Sequence, residues 1–131
     1  MLPVGLRKHF LLWVFGVGGI FVSAVVVWAL KDRLDEMGRR NATQETLHRL
    51  VEGLRAHPLD PRGDPSRRGR ELLRVAAACL PAEVIQNGHI YDAWNHELRV
   101  EFDRLGGVEV RSPGPDGRFG TEDDLVESVG R

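Results

Sequence analysis

The sequence predicts an α+β protein: an N-terminal transmembrane helix continuing into a helical stem, then a small head with a short helix, an antiparallel β-hairpin or small sheet, and a C-terminal metal-binding loop. Three observations predict it. Residues 10–30 form an uncharged apolar run, residues 98–111 alternate with the two-residue period of strands, and residues 112–125 crowd acids among glycines.

Residues 10–30 read FLLWVFGVGGIFVSAVVVWAL. As a helix they span roughly 31 Å, against a hydrocarbon core of about 30 Å. Trp13 and Trp28 stand near the two ends, where amphipathic rings favour the membrane interfaces. A cleaved signal peptide is the alternative, but its apolar region runs to only about 7–15 residues and ends in a small-residue exit that is not clean here. A buried soluble helix accounts less well for such a run. Residues 1–9 are a short basic segment with Arg7 and Lys8, while Lys31, Arg33, Arg39 and Arg40 follow the span, so charge counting alone leaves the orientation open. Gly19 and Ser23 have the small-xxx-small spacing that lets membrane helices approach, although glycine is common in such helices without any packing role.

Leu34, Met37, Leu47, Leu50, Val51 and Leu54 recur near helical spacing and predict a stem over residues 31–57. Gly38 with Asn41 marks a break or kink, and Asn41 or Thr43 caps a renewed helix. His57-Pro58 ends the stem, because the residue before proline is pushed out of the α region.

Residues 58–131 form the head. Prolines and glycines make a loop through residue 69. Ser66 has the side chain for a helix cap, and residues 71–80 read as a short helix stopped by Pro81. Val84-Ile85 is a short apolar pair and Asn87-Gly88 a turn signal. Leu98, Val100 and Phe102 alternate with Arg99 and Glu101, and Val108 and Val110 with Glu109 and Arg111. Leu105-Gly106-Gly107 turns the chain between them, which predicts a hairpin.

The 131 residues suit one domain, and 28% charged against 42% hydrophobic residues is a globular mix. Eighteen Lys+Arg against nineteen Asp+Glu give a net charge of −1, which excludes a strongly basic nucleic-acid binder. The single cysteine, Cys79, forms no internal disulfide, and its AAACL setting reads as core rather than nucleophile. A head this small has a marginal core, so a bound metal is the candidate staple.

The tail SPGPDGRFGTEDDL, residues 112–125, supplies the ligands for one. Asp116, Asp123 and Asp124 lie within nine residues, Glu122 adds a fourth acid, and Gly114, Gly117 and Gly120 allow a tight wrap. Crowded carboxylates repel unless a cation intervenes. Oxygen donors without neighbouring His or Cys favour Ca²⁺ over a transition metal, with backbone carbonyls completing the shell. An EF-hand does not fit, because Arg118 and Thr121 fall where that loop needs an acid and a glycine. The competing reading is a solvated acidic turn.

The order of these features resembles the major pseudopilins of the type II secretion system. In that family a D-P-W-G turn precedes the sheet, and the sheet leads into a calcium loop. Here the turn is Asp92-Ala93-Trp94-Asn95, with Ala93 for proline and Asn95 for glycine, the next best residue for a left-handed conformation. Ser112, Gly114, Asp116, Gly117, Gly120, Thr121, Asp123 and Asp124 stand in register with the loop. The resemblance implies Ca²⁺ bound by the Asp116, Asp123 and Asp124 side chains, helped by the main-chain carbonyls near Pro113 and Arg118. It implies a structural protein of the bacterial inner membrane, N-terminus cytoplasmic and head extracytoplasmic, whose partners are the bilayer, other pseudopilin or secretion-system subunits and further copies of itself.

The N-terminus departs from the family. Its members carry a glycine cleavage site followed five residues into the mature chain by a glutamate that helps subunits enter a filament. Here Gly5-Leu6 is followed by Arg7 and Lys8, and no acid precedes Asp32. The expectation is an unprocessed, anchored relative.

The remaining residues carry weaker signals. Trp94 is expected to pack under the sheet with Asp92 capping its turn. His89 and His96 read as surface residues, and the arginines at 67, 68, 70 and 74 as a solvated helix face, with lipid headgroups or an acidic neighbour as alternatives. No phosphate-binding or hydrolase motif is present, so the chain reads as a non-enzyme. An anchored calcium-dependent docking module outside any filament is the second reading, and a small hydrolase using the acids the third.

Overall fold

The computed structural model describes residues 4–130. The N-terminal basic segment therefore lies partly outside the described residues, as do the side chains of Arg7 and Lys8. The architecture is α+β, with helix α1 (Val4–Ala56), helix α2 (Pro65–Cys79), a 3-10 turn (Ala82–Val84) and five short strands. Strands β1 (Ile85–Gln86) and β2 (His89–Ile90) form one antiparallel pair. Strands β3 (Arg99–Phe102), β4 (Val108–Ser112) and β5 (Leu125–Val129) form an antiparallel sheet in that order. The chain divides into two compact units, Met1–Met37 and Gly38–Arg131.

In the first unit α1 is long and apolar enough to cross a membrane. None of that apolar stretch is buried by protein. Trp13, Phe15, Ile20, Phe21 and Trp28 are each at least 70% exposed, an arrangement that water penalises and lipid does not. Leu34 and Met37, expected in the amphipathic stem, are also bare at 65% and 64%.

The helix does not break at Gly38 or Asn41, and Thr43 is not a cap. Thr43 is buried inside the helix, and its hydroxyl accepts the Ala93 N–H at 3.0 Å. What reads as a capping residue is a tertiary anchor, and a single glycine costs a helix only about 1 kcal/mol.

In the second unit, Leu47, Leu50, Val51 and Leu54 make a helical stripe, each no more than 3% exposed. They share one core with Ala76 and Leu80, Ile90 and Leu98, and Val108 and Val110 of β4. Gly53 lets α2 come close: a Cβ there would lie 3.0 Å from both the Cys79 Sγ and a Val75 methyl. Burial pushes the Cys79 thiol above its ordinary pKa, which disfavours the thiolate.

Helix α2 starts earlier than expected. Asp64 holds the N-cap position without a side-chain cap bond, Pro65 opens the helix, and Ser66 lies inside it. Proline at the first position presets the helical φ and loses no bond, so no Ser66 cap is needed. The β1–β2 turn has Asn87 at φ 51° and Gly88 at φ 81°, the double left-handed geometry of a tight hairpin.

Strand β5 was not legible as a strand. Its inner face reads Leu125, Glu127, Val129, and Glu127 sits opposite the buried Val110. On the sheet edge Glu127 reaches out to His48 of α1 at 2.8 Å, so an acid occupies an inward position and the apolar alternation is lost.

Candidate functional site

The site begins at the Asp92 turn. Asp92 Oδ1 accepts the N–H groups of Trp94 at 2.9 Å and His96 at 2.8 Å, which closes the turn. Asn95 completes it at φ 65°, the left-handed conformation expected of it. Trp94 is half-buried and lies outside the core cluster.

The second Asp92 oxygen accepts the Ser112 hydroxyl at 2.7 Å, and the Ser112 oxygen accepts the Gly114 N–H at 3.1 Å. Both residues are buried, at 6% and 0% exposure. A buried carboxylate is tolerable only when its lone pairs are filled, and here two backbone N–H groups and one hydroxyl fill them. His96, expected at the surface, is half-buried. Its Nδ1 lies 2.9 Å from the Gly114 carbonyl, and its ring packs against Gly117, where a Cβ would stand 3.0 Å from Nε2. The turn and the start of the acidic loop are thus one hydrogen-bonded unit.

The loop runs from Ser112 to Leu125, which pair at the end of the sheet. Gly114, Gly117 and Gly120 all have φ between 67° and 87°. Gly114 is buried against the Asp123 carbonyl, leaving no room for a side chain. The expected ligands divide as follows. Pro113 is buried, while Asp116 and Arg118 are exposed, with the Asp116 carboxylate accepting the Arg118 N–H at 2.9 Å. Asp123 is half-buried. Asp124 accepts the Gly120 N–H at 2.8 Å and meets the Arg111 guanidinium at 3.3 Å. The Gly120 N–H above all holds the Asp124 carboxyl below the usual carboxylate range, with Thr121 and Arg111 adding to it against the opposing effect of burial.

Among the described residues, no three His, Cys, Asp or Glu side chains converge as a ready metal cluster. The donor chemistry nevertheless fits a hard cation: carboxylate and carbonyl oxygens on one glycine-rich loop. A positive charge already sits against Asp124. Arg111, which sequence reasoning assigned only to the strand, pairs with Glu109 at 2.5 Å and with Asp124, and its buried Nε has no hydrogen-bond partner. It faces Val126 across β4–β5, one register step from the loop, a placement with no signal in the sequence because β5 is hidden there. The Arg99 guanidinium stacks on the loop's Phe119, 4.0 Å from the ring centroid.

Compared with protein-family models, curated proteins and solved structures, the chain matches none.

Proposed function

We propose that this chain is a membrane-anchored, non-enzymatic structural protein of the type II secretion pseudopilin kind, carrying a calcium-stabilised head outside the cytoplasm. One observation carries the reading: the single helix α1 is bare where it is apolar and uncharged, yet its last turns supply the central stripe of the head's core. An antiparallel sheet and an acidic glycine loop complete that head. In this reading Ca²⁺ is held by the Asp116, Asp123 and Asp124 carboxylates with the carbonyls of Pro113 and Arg118. It supplies the charge that lets the acids sit together. The chain's own contribution is to fix both ends of the loop, through Asp92–Ser112 at the start and the Ser112–Leu125 pairing across β4–β5.

A second reading rests on the absence of any acid between Gly5 and Asp32. Without an acid inside the apolar stretch, the chain is an anchored docking module that presents its head and stays out of a filament. Carbonate extraction of native membranes followed by intact-mass measurement tests both. An uncleaved chain in the membrane pellet is expected. Release into the soluble fraction would remove the anchor, and a mature chain starting at Leu6 would show that the chain is processed in the family's manner.

A further inference from the structure

A groove of about 810 Å³ opens at the end of the sheet opposite the acidic loop. It lies between the last turns of α1, residues 58–62, the β3–β4 turn and the end of β5. Leu54, Leu59, Val108 and Val129 line it, and Leu105 stands on its rim at 80% exposure. The charges around it are of nearly one sign, with Arg55, Arg62 and Arg104 against Asp60. Arg55 is held by Glu52 at 2.5 Å, and an Asp60 oxygen is taken by the Arg62 backbone N–H at 2.9 Å. The guanidinium groups of Arg62 and Arg104 meet no carboxylate among the described residues.

We propose that this groove docks an acidic segment of a partner protein that carries an apolar side chain between its carboxylates. The chemistry divides between floor and rim. The apolar lining takes the anchor, whose burial supplies the non-directional part of the affinity. Arg62 and Arg104 take carboxylates through paired N–H donors, a geometry that a lysine pair would not reproduce. The concave floor lies out of reach of a flat lipid surface. Among the described residues no aromatic side chain lines the groove, so a nucleic acid would find charge but no stacking platform. A second copy of the chain, whose own acidic loop exposes Asp116 and Glu122, is an outcome the test separates from a partner segment. The proposal does not depend on metal binding at the loop.

The test uses the full chain in phosphatidylcholine nanodiscs and the fluorescein-labelled peptide Gly-Asp-Glu-Phe-Asp-Glu-Gly, read by anisotropy. Saturable, salt-sensitive binding is expected. The double variant Arg62→Glu/Arg104→Glu should weaken it by about tenfold or more while melting like wild type. Arg70→Glu, an exposed arginine on α2 away from the groove, should leave it unchanged. A peptide with serine for the phenylalanine should bind more weakly than the parent. Equal binding by a lysine-substituted peptide, or equal losses in the Arg70 and groove variants, would overturn the proposal. So would groove-dependent binding of phosphatidylserine vesicles without peptide binding, or groove-dependent dimers in sedimentation.

Discussion

Asp92 and Ser112, twenty residues apart in sequence, share a buried 2.7 Å hydrogen bond that ties the turn before the sheet to the first residue of the acidic loop. The same carboxylate closes its own turn through Trp94 and His96, so three donors depend on one side chain. Asp92→Ala would strand all of them in a dry setting and should cost about 3 kcal/mol, with Asp92→Asn costing less because it keeps an acceptor oxygen. Thermal unfolding of the full chain in detergent checks this. An Ala variant melting within a degree of wild type would show that the turn and loop hold together without the bond.

Two glycines of the loop separate backbone strain from steric exclusion. Gly120 has φ 87° with open space where a Cβ would go, so Gly120→Ala should cost only the left-handed penalty of about 1–2 kcal/mol. Gly114 has φ 67° and is packed on the Asp123 carbonyl, so Gly114→Ala pays the same penalty and must also push the loop's two ends apart. The Gly114 variant should melt clearly below the Gly120 variant. Equal melting temperatures would mean that the two ends of the loop are not in contact.

The His48–Glu127 pair makes a pH prediction with a definite sign. The hydrogen bond to Glu127, and then its charge, raise the His48 pKa above its ordinary value. A histidine whose folded pKa is raised contributes stability that is fully present below its unfolded pKa of about 6.5 and lost as pH rises through the folded pKa. His48→Gln should therefore lower the melting temperature at pH 5.5 and have a vanishing effect at pH 9. The pair is exposed, so the effect is small and screened by salt. An NMR titration of His48 giving a pKa below the model-peptide value would contradict the assignment.

The membrane-length helix was legible as an uncharged apolar run, and the core stripe of Leu47, Leu50, Val51 and Leu54 and the β3–β4 hairpin by their periods. It did not show that Thr43 is buried, since a threonine that caps and a threonine that accepts a distant N–H look alike in one dimension. It hid β5, whose inward Glu127 is justified only by His48, 79 residues away. Ser112 and Asp124 were picked out from the loop pattern, but the partners that position them, Asp92 and Arg111, come from elsewhere in the head. His96 belonged to the site for the same reason, its ring meeting Gly114 eighteen residues on. Long-range polar pairs leave no period in the chain.

The central claim, a cation-stabilised loop on an anchored head, is tested most directly by melting the full chain in detergent with Ca²⁺, with Mg²⁺ and with chelator, for wild type and Asp124→Ala. At ligand one hundredfold above Kd, binding stabilises by about 2.7 kcal/mol, a shift on the order of ten degrees for a head of this size. Mg²⁺ should do much less, because it demands a tight octahedron and dehydrates reluctantly. Asp124→Ala should lose most of the calcium response, and its apo form should melt lower than wild type, because the Gly120 N–H and the Arg111 guanidinium lose their acceptor. A wild-type chain that melts at the same temperature in Ca²⁺ and chelator would contradict the claim and leave Asp124 as an internal partner of Gly120 and Arg111.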